Sequence, residues 1–145
     1  MIGYQKVDLS VPPNLKPVRG ARKRAVARVW LLRKEKNSQN FEIYVNRINY
    51  RDYFKDEILC RVVQRPLEVA DRWGKYIVFA TVKGGGISAQ AQAVAHGISL
   101  ALVREEPDLR KVIKPLGLLT RDPREVERKK YGRRKSRKTQ QWKKR

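Results

Sequence analysis

The sequence predicts an α+β fold, a small β-sheet with packed helices, followed by an extended basic C-terminal tail. Three observations carry that prediction. Two stretches, 24–32 and 41–46, alternate apolar and polar residues at the period of a strand. A nearly continuous apolar run, Tyr76 to Val82, leads through three glycines into a long stretch with helical periodicity. Charge is also uneven: the chain carries +21, and thirteen Lys/Arg against three acids in residues 121–145 supply +10 of it. The resulting division is an irregular arm over 1–19, a globular body over 20–119 and a basic extension over 120–145.

The elements follow in order. Pro12, Pro13 and Pro17 block regular structure in the arm. In the first strand Ala25, Ala27, Val29 and Leu31 share one face, and Arg24, Arg28 and Trp30 make the other face basic and aromatic. A polar loop from Lys34 to Asn40 leads to Phe41, Ile43 and Val45, a second strand expected to be its hairpin partner. Ile58, Leu59, Val62 and Val63 have helical spacing, and Pro66 is expected to kink or end that helix. Tyr76 to Val82 reads as a central strand buried on both faces.

Ser88 then stands as an N-cap, and Ala91, Val94, Ala95, Ile98, Ala101 and Leu102 form the apolar stripe of the clearest helix. Gln92, His96 and Ser99 lie on its opposite face. A short helix is predicted between Leu109 and Leu116. Another is predicted after Asp122-Pro123-Arg124-Glu125, which spells a capping box, with Gly132 as its C-terminal stop.

Several function classes are excluded by count. Cys60 is the only cysteine and His96 the only histidine, so neither a disulfide nor a His/Cys metal site can be assembled, and no cofactor is implied. Neither residue has a nucleophile–base signature around it, so no enzyme is expected. No apolar segment follows a basic start, so no secretory signal is read, and the free thiol fits a reducing compartment. Gly84 to Val103 carries no charge, but three glycines and a row of Gln, His and Ser argue against a membrane span.

What remains points to a polyanion. A compact body of this charge repels itself unless something neutralises it. Arg22-Lys23-Arg24 with Arg28 and Trp30 sets cations beside an aromatic plane, and Lys130-Tyr131 and Trp142-Lys143 repeat the combination in the tail. Such pairs neutralise phosphates and stack on bases. The junction Lys83-Gly84-Gly85-Gly86 ends in a helix start, whose unpaired N–H groups make either a phosphate seat or a tight packing turn. It is neither a P-loop nor a dinucleotide fingerprint. The tail cannot bury apolar surface and is expected to be disordered in isolation. Composition alone leaves a nucleic-acid-compacting protein open.

The order of the motifs narrows this. Ala21-Arg22-Lys23-Arg24-Ala25-Val26-Ala27-Arg28-Val29, then Val45-Asn46 with Tyr50 and Tyr53-Phe54, then Pro66-Leu67-Glu68 resemble successive blocks of the ribosomal protein nine family of the small subunit. Thr81-Val82-Lys83-Gly84-Gly85-Gly86-Ile87-Ser88-Ala89-Gln90-Ala91 and His96-Gly97-Ile98 are similar to its signature, and residues 117–132 resemble it most strongly. The resemblance covers about residues 20 to 145. It implies the fold of the second domain of ribosomal protein five, with a βαβ crossover, and a place in the head of the small subunit beside neighbouring ribosomal proteins.

It further implies that the body and the root of the tail bind small-subunit rRNA. The positions concerned are Arg22, Lys23, Arg24, Arg28, Lys83, Gly84, Gly85, Gly86, Ser88 and Gln90 in the body. In the tail they are Arg121, Arg124, Arg128, Lys129, Lys130, Tyr131, Arg133, Arg134, Lys135, Arg137 and Lys138. Lys143, Lys144 and Arg145 fall where the family's tail touches the anticodon stem-loop of P-site tRNA. Two departures stand out: Lys143 replaces a serine, and Ala95 stands where an arginine commonly precedes the His-Gly pair. The spelling resembles the bacterial branch, in the cytoplasm, with a mitochondrial or plastid ribosome as the alternative.

Overall fold

The computed structural model describes residues 15–34 and 42–144. Residues 1–14, which hold most of the arm expected over 1–19, most of the loop before the second strand, Phe41 and Arg145 lie outside the described residues. One five-stranded sheet is covered on one face by two helices.

Strands β1 (Val18–Arg22) and β2 (Ala25–Arg33) form an antiparallel hairpin through a turn at Lys23-Arg24, where Lys23 takes φ 50°. Strand β3 (Glu42–Val45) turns back into β4 (Ile48–Asn49), and Asn46 and Arg47 both have positive φ (51° and 67°), the geometry of tight hairpin turns. Helix α1 (Tyr50–Phe54) starts on Asn49, whose side chain accepts the Arg51 N–H. Helix α2 (Glu57–Val69) starts on Asp56, whose carboxylate accepts the Ile58 N–H. Strand β5 (Tyr76–Lys83) and helix α3 (Ile87–Glu105) follow. The short helix predicted between Leu109 and Leu116 is α4 (Arg110–Ile113), with a 3-10 turn on either side.

The sheet order is β1-β2-β5-β3-β4. Thus β3 is not the hairpin partner of β2, as its alternation predicts; it runs parallel to β5, with Ile43 opposite Val78. The partner of β2 is β1, whose first two residues fall within the expected irregular arm. The parallel pair β3 and β5 is joined through α1 and α2, and this connection is the βαβ crossover.

Helices α2 and α3 pack side by side on the face formed by Ala27, Val29, Leu31, Ile43, Val45, Val78, Ala80 and Val82. Helix α3 spans about 28 Å at 1.5 Å per residue, and its alanines and Gly97 let it lie close to both the sheet and α2. The approach is tightest at β1. A Cβ built on Gly20 would stand 2.0 Å from the Ala93 carbonyl oxygen and 2.5 Å from the Gly97 nitrogen. At the far end, Glu106 accepts three bonds from the Arg72 guanidinium (2.6 and 2.9 Å to Oε2, 3.0 Å to Oε1) and one from the Tyr76 hydroxyl (2.7 Å). This tie fixes the end of α3 to the start of β5.

Four expectations are corrected. Pro66 does not end α2: it is buried, and the helix runs on to Val69, because a proline in the last turn forfeits a single backbone bond. Strand β5 is buried on both faces only near Phe79, while Thr81 and Lys83 are exposed. The N-cap of α3 is Gly86 in extended conformation, with no side-chain cap, and Ser88 lies inside the first turn. The described tail, from Thr120 to Lys144, contains no helix. Asp122 does accept the Arg124 N–H as a cap would, but Val126 is 85% exposed, so a helix here would have no apolar face to bury.

Candidate nucleic-acid interface

The fold brings distant basic clusters to one corner. In the β2–β5 register Val26 faces Lys83 and Arg28 faces Thr81. These four line a cavity of about 240 Å³ on the sheet face away from the helices. In the β1 register Arg19 lies opposite Arg28, extending the basic row. Beyond it the surface turns aromatic: Trp30, Phe79 and Tyr44 sit in one cross-strand row, with the last two stacked at 5.7 Å.

The triglycine loop packs against the β1–β2 turn. Gly84 and Gly85 adopt φ +73° and +66°, which only glycine takes without strain. Added Cβ atoms would stand 2.7 Å from the Arg24 carbonyl oxygen and 2.9 Å from the Ala25 nitrogen. Lys23, Arg24 and Lys83 therefore surround the start of α3, where Gly86 and Ser88 are exposed. Nothing lies within 4 Å of a Cβ on Gly86, so the helix start is open.

A polar chain holds the loop from behind. The Asn46 side chain accepts the Val82 N–H (2.9 Å) and donates to the Val82 carbonyl (3.3 Å), standing in for the next residue of a strand. Its amide also reaches the Tyr53 hydroxyl (3.5 Å), which donates to Gln90 Oε1 (2.8 Å). Gln90 Nε2 then donates to the Gly84 carbonyl (3.1 Å). The sequence pattern alone misses Asn46 and Tyr53; the positive φ that Asn tolerates was the available signal.

A second cluster roots the tail. Arg22 donates to Gln92 Oε1 (2.8 Å) and to the Arg124 carbonyl (3.0 Å), and it pairs with Asp122 at 3.1 Å. His96 Nδ1 accepts the Ala21 N–H (3.3 Å), which leaves Nε2 to donate to the Leu119 carbonyl (3.1 Å). The Arg124 guanidinium and backbone N–H, then Arg22, hold the Asp122 carboxyl well below the usual carboxylate range. The face of α3 expected to be polar is thus occupied: Gln92 holds Arg22, which in turn holds the tail root, and His96 binds Leu119 at the end of the body. Ser99 is fully buried and donates to the Ala95 carbonyl.

Beyond the root the tail is bare. Arg128, Lys129, Lys130, Arg133, Arg134, Lys135, Lys138, Lys143 and Lys144 are exposed, and Tyr131 and Trp142 present nearly their whole rings. Arg137 pairs with Glu127 at 2.7 Å. Among the described residues no group of His, Cys, Asp or Glu could hold a metal ion, and no helix is long and apolar enough to cross a membrane. Cys60 is buried on the inner face of α2, and burial pushes its thiol up.

Comparison with known proteins agrees with this distribution of charge. Residues 20–145 match the family described as Ribosomal protein S9/S16. The chain is also 46% identical over 138 residues to Small ribosomal subunit protein uS9 of Aquifex aeolicus (strain VF5), covering 92% of each chain. A body with a basic corner and a rooted cationic tail belongs, on a match of this extent, to that family of structural, non-enzymatic ribosomal proteins.

Proposed function

We propose that the chain is a structural constituent of the small ribosomal subunit whose body binds small-subunit rRNA and whose tail reaches the P-site tRNA. One observation carries this: the Lys23-Arg24 turn, Lys83 and the open start of α3 form one cationic corner, while the tail leaves the same body bare and basic. RNA phosphate meets the corner at Lys83, Gly84 to Gly86 and Ser88, and Gln90 acts through the loop that it holds. Arg28 and Lys83 offer a second contact on the open sheet face. The tail neutralises rRNA from Arg121 to Lys138, and Lys143 to Arg145 meet the anticodon stem-loop. The crossover of β3, α2 and β5 supports kinship with the second domain of ribosomal protein five. The setting is the subunit head, beside neighbouring ribosomal proteins, in a bacterial cytoplasm or an organellar ribosome.

Deleting Lys143 to Arg145 tests the reading. The body and the tail root keep their contacts, so melting of the free chain and incorporation into the subunit stay unchanged. P-site tRNA leaves subunits about 5- to 30-fold faster, the loss of one or two charge-assisted phosphate contacts. Equal dissociation rates from truncated and intact subunits would mean that the tail ends in rRNA. Failure of a tagged copy to co-sediment with small subunits at moderate salt would favour a free nucleic-acid-binding protein.

A further inference from the structure

Between α2, α3 and the root of the tail lies a cavity of about 390 Å³. Its four cations come from three places in the chain: Arg22 at the end of β1, Arg65 on α2, and Arg121 and Arg124 in the tail. Its acid is Asp122, which Arg22 and Arg124 both hold, at 3.1 and 2.8 Å. Arg65 and Arg121 are exposed and make no ion pair or side-chain hydrogen bond among the described residues. The cavity wall thus carries four guanidinium groups against one carboxylate.

We propose that this cavity seats a phosphate of an RNA strand, with Arg65 and Arg121 as its free cations. The inference rests on the RNA-binding reading above and assigns it a site. Guanidinium forks match phosphate oxygens two at a time and are weakly hydrated, so a pair of them across a concavity favours a phosphodiester. The walls are preorganised. Arg65 stands on a helix packed into the core, and Arg121 is held between two tethered neighbours. Leu119 is fixed by His96, and Asp122 by Arg22. The backbone carrying both arginines is thus already ordered, and only the two side chains remain to be fixed on binding. A strand seated here touches body and tail together, so one phosphate links the two RNA-facing surfaces.

The test is a titration of the full chain with small-subunit rRNA at a series of potassium chloride concentrations. Wild type loses affinity by a factor on the order of 10³ or more between 50 and 200 mM salt. Arg65→Ala weakens binding about 5- to 10-fold and lowers the slope of log affinity against log salt by about 1. Arg65→Lys restores the slope, which separates lost charge from a folding defect, and Arg121→Ala, also lining the cavity, lowers the slope as well; the double variant loses less than the two single losses added, because both arginines hold one phosphate. Arg110→Ala, an exposed arginine on α4, serves as the reference and changes neither quantity. If Arg65→Ala matches Arg110→Ala while wild type keeps its steep slope, the cavity is not a phosphate seat and the RNA reading stands. A flat wild-type slope would instead overturn the RNA reading itself.

Discussion

Replacing Gly20 by alanine adds one methyl group where β1 crosses α3, and the structure sets its cost. The new Cβ would lie 2.0 Å from the Ala93 carbonyl oxygen, about 1.4 Å inside the 3.4 Å at which ordinary contact begins. The next obstacles, the nitrogen and Cα of Gly97 at 2.5 and 2.8 Å, are backbone as well. No rotamer change relieves the clash, so strand and helix must separate. Overpacking of this kind costs typically 1–3 kcal/mol, and an obstacle of backbone alone puts it at the upper end, about 3 kcal/mol. For a folded body of about 100 residues that lowers the melting temperature by on the order of 10–15 °C. Separation also pulls Ala21 from His96 and Arg22 from Gln92, so the tail root loosens with the fold. Thermal unfolding followed by circular dichroism measures the first effect. Amide exchange at Ala21, whose N–H bonds His96, measures the second. Gly97→Ala meets the Val29 Cγ2 at 2.5 Å, part of a stiff branched side chain that is fully buried, and is destabilising as well. A Gly20→Ala protein melting within about 2 °C of wild type, with Ala21 still protected, would refute the argument.

Two further outcomes are expected. Gly85→Val places a branched side chain at φ +66° and 2.9 Å from the Ala25 nitrogen, destabilising the body by roughly 2–4 kcal/mol and weakening rRNA binding; normal stability and normal binding together would show the junction to be a permissive loop. Glu106 is held down to about 2 from 4.5, first by Arg72 and then by Tyr76. A depressed carboxyl stabilises the fold above its unfolded value and loses that contribution as pH falls through the folded one. With the side chain a third exposed, solvent screening reduces the contribution to about 1 kcal/mol. Urea midpoints of Glu106→Gln should therefore lie below wild type at pH 6 and converge with it near pH 2; a constant gap would locate the effect in packing instead.

Much of the fold was legible because its strongest signals are periodic. Alternation in β2 and the stripe of α3 follow from one buried face each, and the triglycine junction followed from chain punctuation. Pairing was not legible. Alternation in β3 says that one face is buried but not which strand lies beside it, and a crossover of two helices carried it to β5. Strand β1 was hidden because Val18-Arg19-Gly20-Ala21-Arg22 has no apolar alternation; its Gly20 is there for contact with α3. The capping spelling at Asp122 misled because two arginines take the carboxylate and no core waits for the helix. In the interface, charge marked Lys23, Arg24 and Lys83, but nothing in the sequence indicated that Gln90, Gln92 and His96 spend their polar atoms on the loop and the tail root.

The strand order also has a consequence in time. Strand β5 sits in the middle of the sheet yet is the last strand to be synthesised. Until Lys83 has emerged, the native pairings open to the described strands are β1 with β2 and β3 with β4, which leave one edge of β2 and one of β3 without a partner. Closing the sheet means inserting a strand between two waiting edges, a step that needs contacts distant in sequence and is therefore slow. Open edges invite pairing with other chains. Mutual repulsion between copies that are already basic before the tail appears opposes such pairing during that interval.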